Sequence, residues 1–122
     1  MPVLHCGSAI AEALRKAQAY IASRPETDCG YQTLVSSDVT FASATPIETV
    51  FLTAYVLVSL KGQKCNREMQ AAARRAGKWL LGERDPGGYW SFYGQRSRRL
   101  GDAMSVPPDV DDTVCVMSAL EQ

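Results

Sequence analysis

The sequence predicts an all-α fold built from helical hairpins, and three observations carry that prediction. Apolar residues recur at helical spacing in four segments. Two of these segments are apolar on almost every side, as buried helices are. The chain also repeats itself. Arg15-Lys16-Ala17 followed by Tyr20-Ile21 matches Arg74-Arg75-Ala76 followed by Trp79-Leu80 at an offset of 59, and Gly30-Tyr31 matches Gly88-Tyr89 at an offset of 58. Glu48-Thr49-Val50 aligns with Asp112-Thr113-Val114 at an offset of 64. Each unit, about 10–62 and about 66–122, is then an amphipathic outer helix, a Gly-aromatic turn, a long loop and a very apolar inner helix.

The first helix is expected from about Ile10 to Ser23, because Ile10, Leu14, Ala17 and Ile21 fall on one face while Glu12, Arg15, Lys16 and Gln18 take the other. Pro25 ends it. A loop containing Asp28-Cys29-Gly30-Tyr31 follows, then a Ser/Thr-rich connection through Thr45 without a clear period, in which Val35 to Phe41 reads as loop rather than strand. The second helix is expected to start at Thr45 as cap, with Pro46 in its first position and Glu48 closing a capping box, and to stop at Gly62. Asn66 is the expected cap of the third helix. That helix carries Met69, Ala72, Ala73, Ala76, Trp79 and Leu80 inward, Arg67, Arg74, Arg75 and Lys78 outward, and ends at Gly82. Asp85-Pro86-Gly87-Gly88 is a turn signal, Tyr89 to Tyr93 holds four aromatic residues, and Gln95 to Arg99 reads as a solvated basic loop. The repeat sets Val50, Phe51, Ala54 and Leu57 of the first inner helix against Val114, Met117 and Leu120 of the second.

A chain of 122 residues is at most one domain, and 46% hydrophobic residues with a formal net charge of zero describe an ordinary globular protein. That balance suggests neither a nucleic acid nor an acidic partner. No window reaches the ~18 uninterrupted apolar residues of a membrane-spanning helix, and the start Met1-Pro2-Val3-Leu4-His5 lacks the pattern of a signal peptide, so a cytoplasmic location is expected. Cys6, Cys29, Cys65 and Cys115 are scattered, with His5 the sole histidine, so reduced thiols are expected and no metal site.

The densest chemistry lies at Pro107-Pro108-Asp109-Val110-Asp111-Asp112-Thr113, three carboxylates in four residues ahead of an apolar run. The prolines hold the approach extended, so a helix can begin only after Pro108. Asp109 is then a good N-cap, with Asp112 in the first turn against the positive end of the helix dipole. Asp111 is the acid that capping does not require. In the repeat alignment it replaces Ile47, and Asp112 stands where the first unit has Glu48. An acid put in an apolar position tends to be protonated, paired or functional.

Two of these motifs resemble a known superfamily. Arg75-Ala76-x-x-Trp79-Leu80-x-x-x-Arg84 followed by Gly88-Tyr89-Trp90 is similar to the QW repeat of the prenyltransferase and squalene-oxidase-repeat superfamily, with Arg84 where the repeat normally has Gln and, in the first copy, Gln32 in place of the tryptophan. Asp109 to Thr113 resembles the DxDD(T) acid motif of class II terpene cyclases such as the squalene-hopene cyclases. The resemblance implies an α/α toroid in which inner helices surround an apolar cavity. Residues 1–122 would form a single partial domain of about four main helices, completed by the rest of a longer chain or by a second copy. It further implies an isomerase that cyclises an isoprenoid without cofactor or metal, as a cytoplasmic or peripheral-membrane protein.

In that chemistry Asp111 would be the general acid toward an alkene or epoxide, and Asp109 and Asp112 would tune and hold it. Repulsion among three close carboxylates raises one apparent pKa while the others stay charged near the helix dipole. The cation formed needs aromatic faces, for which the inner helices offer Phe51 and Tyr55. The chain departs from the family in its few inner aromatics, in the absence of a nearby histidine partner, and in closing only part of a ring. Two rivals remain. A non-catalytic helical-repeat scaffold or interaction module would use the aspartates as caps. A haloacid-dehalogenase-type phosphatase would read the same residues as DxDxT, with Asp109 as nucleophile and Asp111 as acid/base. That motif belongs at the end of a buried strand, and Pro107-Pro108 precedes it here.

Overall fold

The computed structural model of the protein describes residues 3–24, 30–95 and 107–121, the side chains of 3–6 excepted. Helix α1 spans Val3–Ser23, strand β1 Gln32–Val35, strand β2 Thr45–Glu48, helix α2 Val50–Leu60, helix α3 Arg67–Gly82 and helix α4 Val110–Leu120. The described chain is therefore mostly helical. α1 packs beside α3 and α2 beside α4, with α2 also against α3, so outer helices neighbour outer helices and inner neighbour inner.

α3 follows directly from its sequence. Asn66 accepts a 2.8 Å bond from the Met69 amide, and Met69, Ala72, Ala76, Trp79 and Leu80 all point into the core. The helix ends at Gly82. Around Ala76, Trp79 and Leu80 the core gathers Val50, Ala54 and Leu57 of α2, Val116 and Ala119 of α4, and the loop aromatics Tyr31 and Trp90. Gly30 is dictated by that packing, because a β-carbon there would stand 2.5 Å from the Trp79 ring. The turn at Asp85 also forms as its residues require: the Gly88 amide donates to the Asp85 carbonyl at 2.8 Å, with Gly88 at a φ of 93.

Four expectations are corrected. First, the described residues hold a small sheet: β1 and β2 pair antiparallel with Val35 opposite Thr45 and Leu34 opposite Pro46. Thr45, Pro46 and Glu48 are thus strand residues, not a capping box. Pro46 fits because a strand of a two-stranded sheet has a free edge. α2 starts later, with Thr49 as its cap, accepting from the Leu52 amide. Secondly, α1 begins at Val3 rather than Ile10, and Ile10 and Leu14 are exposed; its engaged end is the C-terminal one, where Ile21 meets the core. Thirdly, α4 turns Asp112, Thr113, Val116 and Ala119 inward and leaves Val114 and Met117 55% and 61% exposed, while Phe51 of α2 is 40% exposed. Fourthly, the inner helices repeat at an offset of 60, not 64.

That last correction and the third share a cause. Thr53, fully buried in α2, accepts the Tyr31 amide on its hydroxyl at 2.8 Å, and the Thr49 amide donates to the Tyr31 carbonyl at 3.1 Å. Thr113 in α4 accepts the Trp90 amide at 3.1 Å, and the Asp109 amide donates to the Trp90 carbonyl at 3.3 Å. The same clamp occurs twice, with Thr53 matching Thr113 and the cap Thr49 matching Asp109. Asp111 therefore corresponds to Phe51, and Asp112 to Leu52. A hydroxyl that must reach the preceding aromatic turns its own face of the helix inward, which decides which apolar residues α4 buries.

Each clamp satisfies a backbone donor in the interior, and a buried donor left without a partner costs about 1–3 kcal/mol. Thr53→Val and Thr113→Val keep the shape and remove the acceptor. Each is expected to lower the unfolding free energy by about that amount in chemical denaturation, whereas Ser59→Ala on the exposed side of α2 should change it little. Equal stability of all three variants would refute the clamp.

Candidate active site

The three aspartates occupy three different environments within one helical turn. Pro107 and Pro108 lead in, and Asp109 adopts an extended backbone, φ −134 and ψ 169, that places its side chain over the open end of α4. Its carboxylate accepts the Asp112 amide at 2.8 Å while its carbonyl starts the helix by accepting the Thr113 amide at 3.2 Å. Asp109 is exposed, and so is Asp111. Asp112 is 3% exposed, turned into the core beside Thr113.

Burial is the main reason that the Asp112 carboxyl is raised from its ordinary 3.8 to about 7. The side-chain hydrogen bond to Asp109 adds to this, followed by the negative charges of Asp109 and then Asp111. Protonated, Asp112 donates to the Asp109 carboxylate, which the helix N-terminus stabilises. Near neutral pH Asp112 is therefore partly protonated. The Cys115 thiol, one turn on, is raised first by burial and then by the Asp112 charge.

Asp111 lies on the open side of the helix with Val110, Val114 and Met117. Beside it, Tyr89, Pro108, Asp109, Val110, Thr113 and Val114 line an open apolar groove of about 470 Å³ in which Asp109 is the only carboxylate among the described residues. α2 stands parallel to α4. The Val50 amide donates to the Phe92 carbonyl at 2.8 Å and the Asp109 amide to the Trp90 carbonyl, so one aromatic segment ties both helix starts, while the Lys61 ammonium donates to the Ser118 carbonyl at the far ends. On α2 the exposed Phe51 stacks on Tyr55 with ring centres 6.2 Å apart and on Phe92 at 5.8 Å, and Tyr93 meets Phe92 edge-on at 4.9 Å. A row of four aromatic rings therefore runs from the first turns of α2 onto the loop 89–93.

Sequence reasoning singled out all three acids and joined Phe51 to Tyr55, but expected Asp111 to be the buried acid. Asp112 is the buried one. Phe92 and Tyr93 were recognised only as part of an aromatic run, and their signal was the run's position one repeat after Tyr31. The structure gives Thr113 a defined partner, whereas the motif alone did not. Arg84, in the glutamine position of the QW-like repeat, is exposed. Cys65 and Cys115 are free thiols, while the side chains of His5 and Cys6, together with Asp28, Cys29 and residues 96–99, lie outside what is described. No helix among the described residues is long and apolar enough to cross a membrane, and no group of three metal-ligating side chains occurs among them. Comparison with protein families, with curated proteins and with solved structures finds no match to this chain.

The sign of the pH effect follows from Asp112. Its folded pKa lies above the unfolded value, so between 3.8 and about 7 the folded state binds more protons than the unfolded one, and stability falls as pH rises through that window. Asp112→Asn, which stays neutral and can still donate to Asp109, should remove this contribution. Unfolding measured from pH 4.5 to 8 is expected to show a shallower decline for the variant than for the parent, and superimposable profiles would show that Asp112 does not titrate in this range.

Proposed function

We propose that this chain carries the acid end of a class II terpene cyclase-like isomerase, with Asp111 as the proton donor to an isoprenoid alkene or epoxide. The observation that supports this is the division of labour among the acids. Asp112 is withdrawn into the core and holds a proton against Asp109, whereas Asp111 stands on the face that a substrate can reach, beside exposed Val110, Val114 and Met117.

A carboxylic acid is a weak donor to carbon, so such a site needs an apolar surround and a charge arrangement that receives the carboxylate left behind. In the proposed step Asp111, which takes a proton from solvent before substrate covers this face, gives it up: its O–H bond breaks, a C–H bond forms at one alkene carbon, and the positive charge develops at its neighbour. The carboxylate that remains would sit in the first turn of α4, where the helix dipole favours negative charge. The ring faces of Phe51, Tyr55 and Phe92 are the groups available to the cation. Completion of the wall around this face, by more of a longer chain or by a second copy, belongs to the same proposal, as does a toroidal arrangement of the hairpins. Cytoplasmic or peripheral-membrane placement also belongs to it.

The phosphatase alternative requires its first aspartate at the end of a parallel strand. Asp109 instead caps a helix, and the only sheet among the described residues is the antiparallel pair β1–β2. The scaffold alternative accounts for Asp109 as a cap but gives no reason for an acid as deeply buried as Asp112.

The test is turnover of a squalene-type polyene and of a prenyl diphosphate. Asp111→Asn is expected to reduce cyclised product by about 100- to 10,000-fold, the usual worth of a positioned general acid, with the thermal unfolding midpoint unchanged. Asp109→Asn should slow turnover less and lower stability modestly. Product formation by Asp111→Asn at the parent rate would remove Asp111 from the donor role.

A further inference from the structure

A second feature of the fold points to a partner and does not depend on the acid site. α3 and α4 scarcely touch, and between them lies an open groove of about 990 Å³ to which α1 contributes no residue. Its floor is apolar and narrow-chained: Ala73, Gly77 and Leu81 of α3 lie along one wall, and Ala119 and Leu120 of α4 along the other. Ala73 and Gly77 are one turn apart, and a β-carbon on Gly77 would meet only Leu120, at 3.7 Å, so the groove admits the close approach of another backbone. Among the described residues Lys61, Arg74 and Lys78 line the groove against a single carboxylate, Glu121.

The internal repeat says what kind of element such a groove receives. The first unit, α1 and α2, receives the outer helix of the second, α3, which packs against both of them. The groove between α3 and α4 is the corresponding space one unit later. We infer that it binds an amphipathic helix whose apolar stripe is flanked by Asp or Glu. A second copy of this chain is the weaker occupant on charge. Its own first outer helix, α1, exposes Ile10 and Leu14, but its single acid, Glu12, is already paired with Arg15 at 2.7 Å and Lys16 at 3.8 Å. A net charge of zero conceals this local excess of cations, because the balancing acids lie elsewhere, three of them at the opposite end of α4.

The probe is a fluorescein-labelled synthetic helix with a Leu/Ala stripe flanked by glutamates, compared with the same peptide carrying lysine at every glutamate. Fluorescence anisotropy is expected to show at least tenfold tighter binding of the glutamate peptide, a preference that shrinks at high salt as exposed charge pairs do. Gly77→Leu, which fills the groove, should abolish binding while leaving circular dichroism unchanged. Should that variant fold poorly, Arg74→Glu with Lys78→Glu, both at exposed positions, should reverse the preference between the peptides. Equal binding of the two peptides, or binding indifferent to both sets of substitutions, overturns the inference. Concentration-dependent self-association that Gly77→Leu abolishes would also overturn it, in favour of a second copy as occupant.

Discussion

Two buried threonine hydroxyls organise this fold. Thr53 and Thr113 each reach out of an inner helix to capture the backbone amide of an aromatic residue in the preceding loop, Tyr31 or Trp90. The loop carbonyl in turn holds the amide of that helix's cap residue. The aromatic is then pinned in the core, where the Trp90 indole donates to the Leu80 carbonyl at 2.7 Å and the Tyr31 hydroxyl to the Ile21 carbonyl at 2.9 Å. One small polar group thus links an inner helix, a loop and the outer helix before it. Buried donors must find acceptors, and here the acceptor also determines the rotation of the helix about its axis.

That rotation is why the helices were legible in the sequence while their faces were not. α3 has a polar side, so its period identifies its core residues without ambiguity. α2 and α4 are apolar on nearly every side, and periodicity alone cannot distinguish Val114 and Met117 from Val116 and Ala119 as the buried set. The deciding residue was Thr113, a polar side chain with one available partner. The β1–β2 pair was missed for a related reason. Thr45-Pro46-x-Glu48 satisfies the local rules of a helix start, yet the backbone opposite, Gln32–Val35, offers those residues ladder partners that no local window contains. Thr49, freed from a helix interior, then becomes the cap.

The acid site was legible as a cluster and misread in its geometry. The alignment at an offset of 64 matched sidechains by similarity, Glu48 with Asp112, whereas the fold matches them by function, Thr49 with Asp109 as caps and Thr53 with Thr113 as clamps. Under the correct register the acids fall opposite Phe51 and Leu52, one exposed and one half-buried. The aromatic row and the carboxylates consequently start from the same level of two parallel helices, a juxtaposition that depends on the loop 89–93 bonding to both helix starts. Nothing in the spacing of Phe92 from Asp109 announces it.

Consecutive residues of an α-helix point about 100° apart, since 3.6 residues make a turn. A pair of adjacent aspartates in the first turn is therefore an economical way to send one carboxyl into the core and its neighbour to the open face. The third acid must then sit where it can accept a hydrogen bond from the buried one without leaving the helix end, and the cap position, three residues before Asp112, meets that requirement. Loss of water raises the pKa of the buried acid, and the cap acid accepts the amide of Asp112 at the open end of the helix. The charge of the exposed acid adds to the rise of Asp112. A single inserted or deleted residue between Asp109 and Asp112 would rotate one of these carboxyls by about a quarter turn and separate the three roles, which explains in physical terms why the acids stand at this spacing and at this end of the helix.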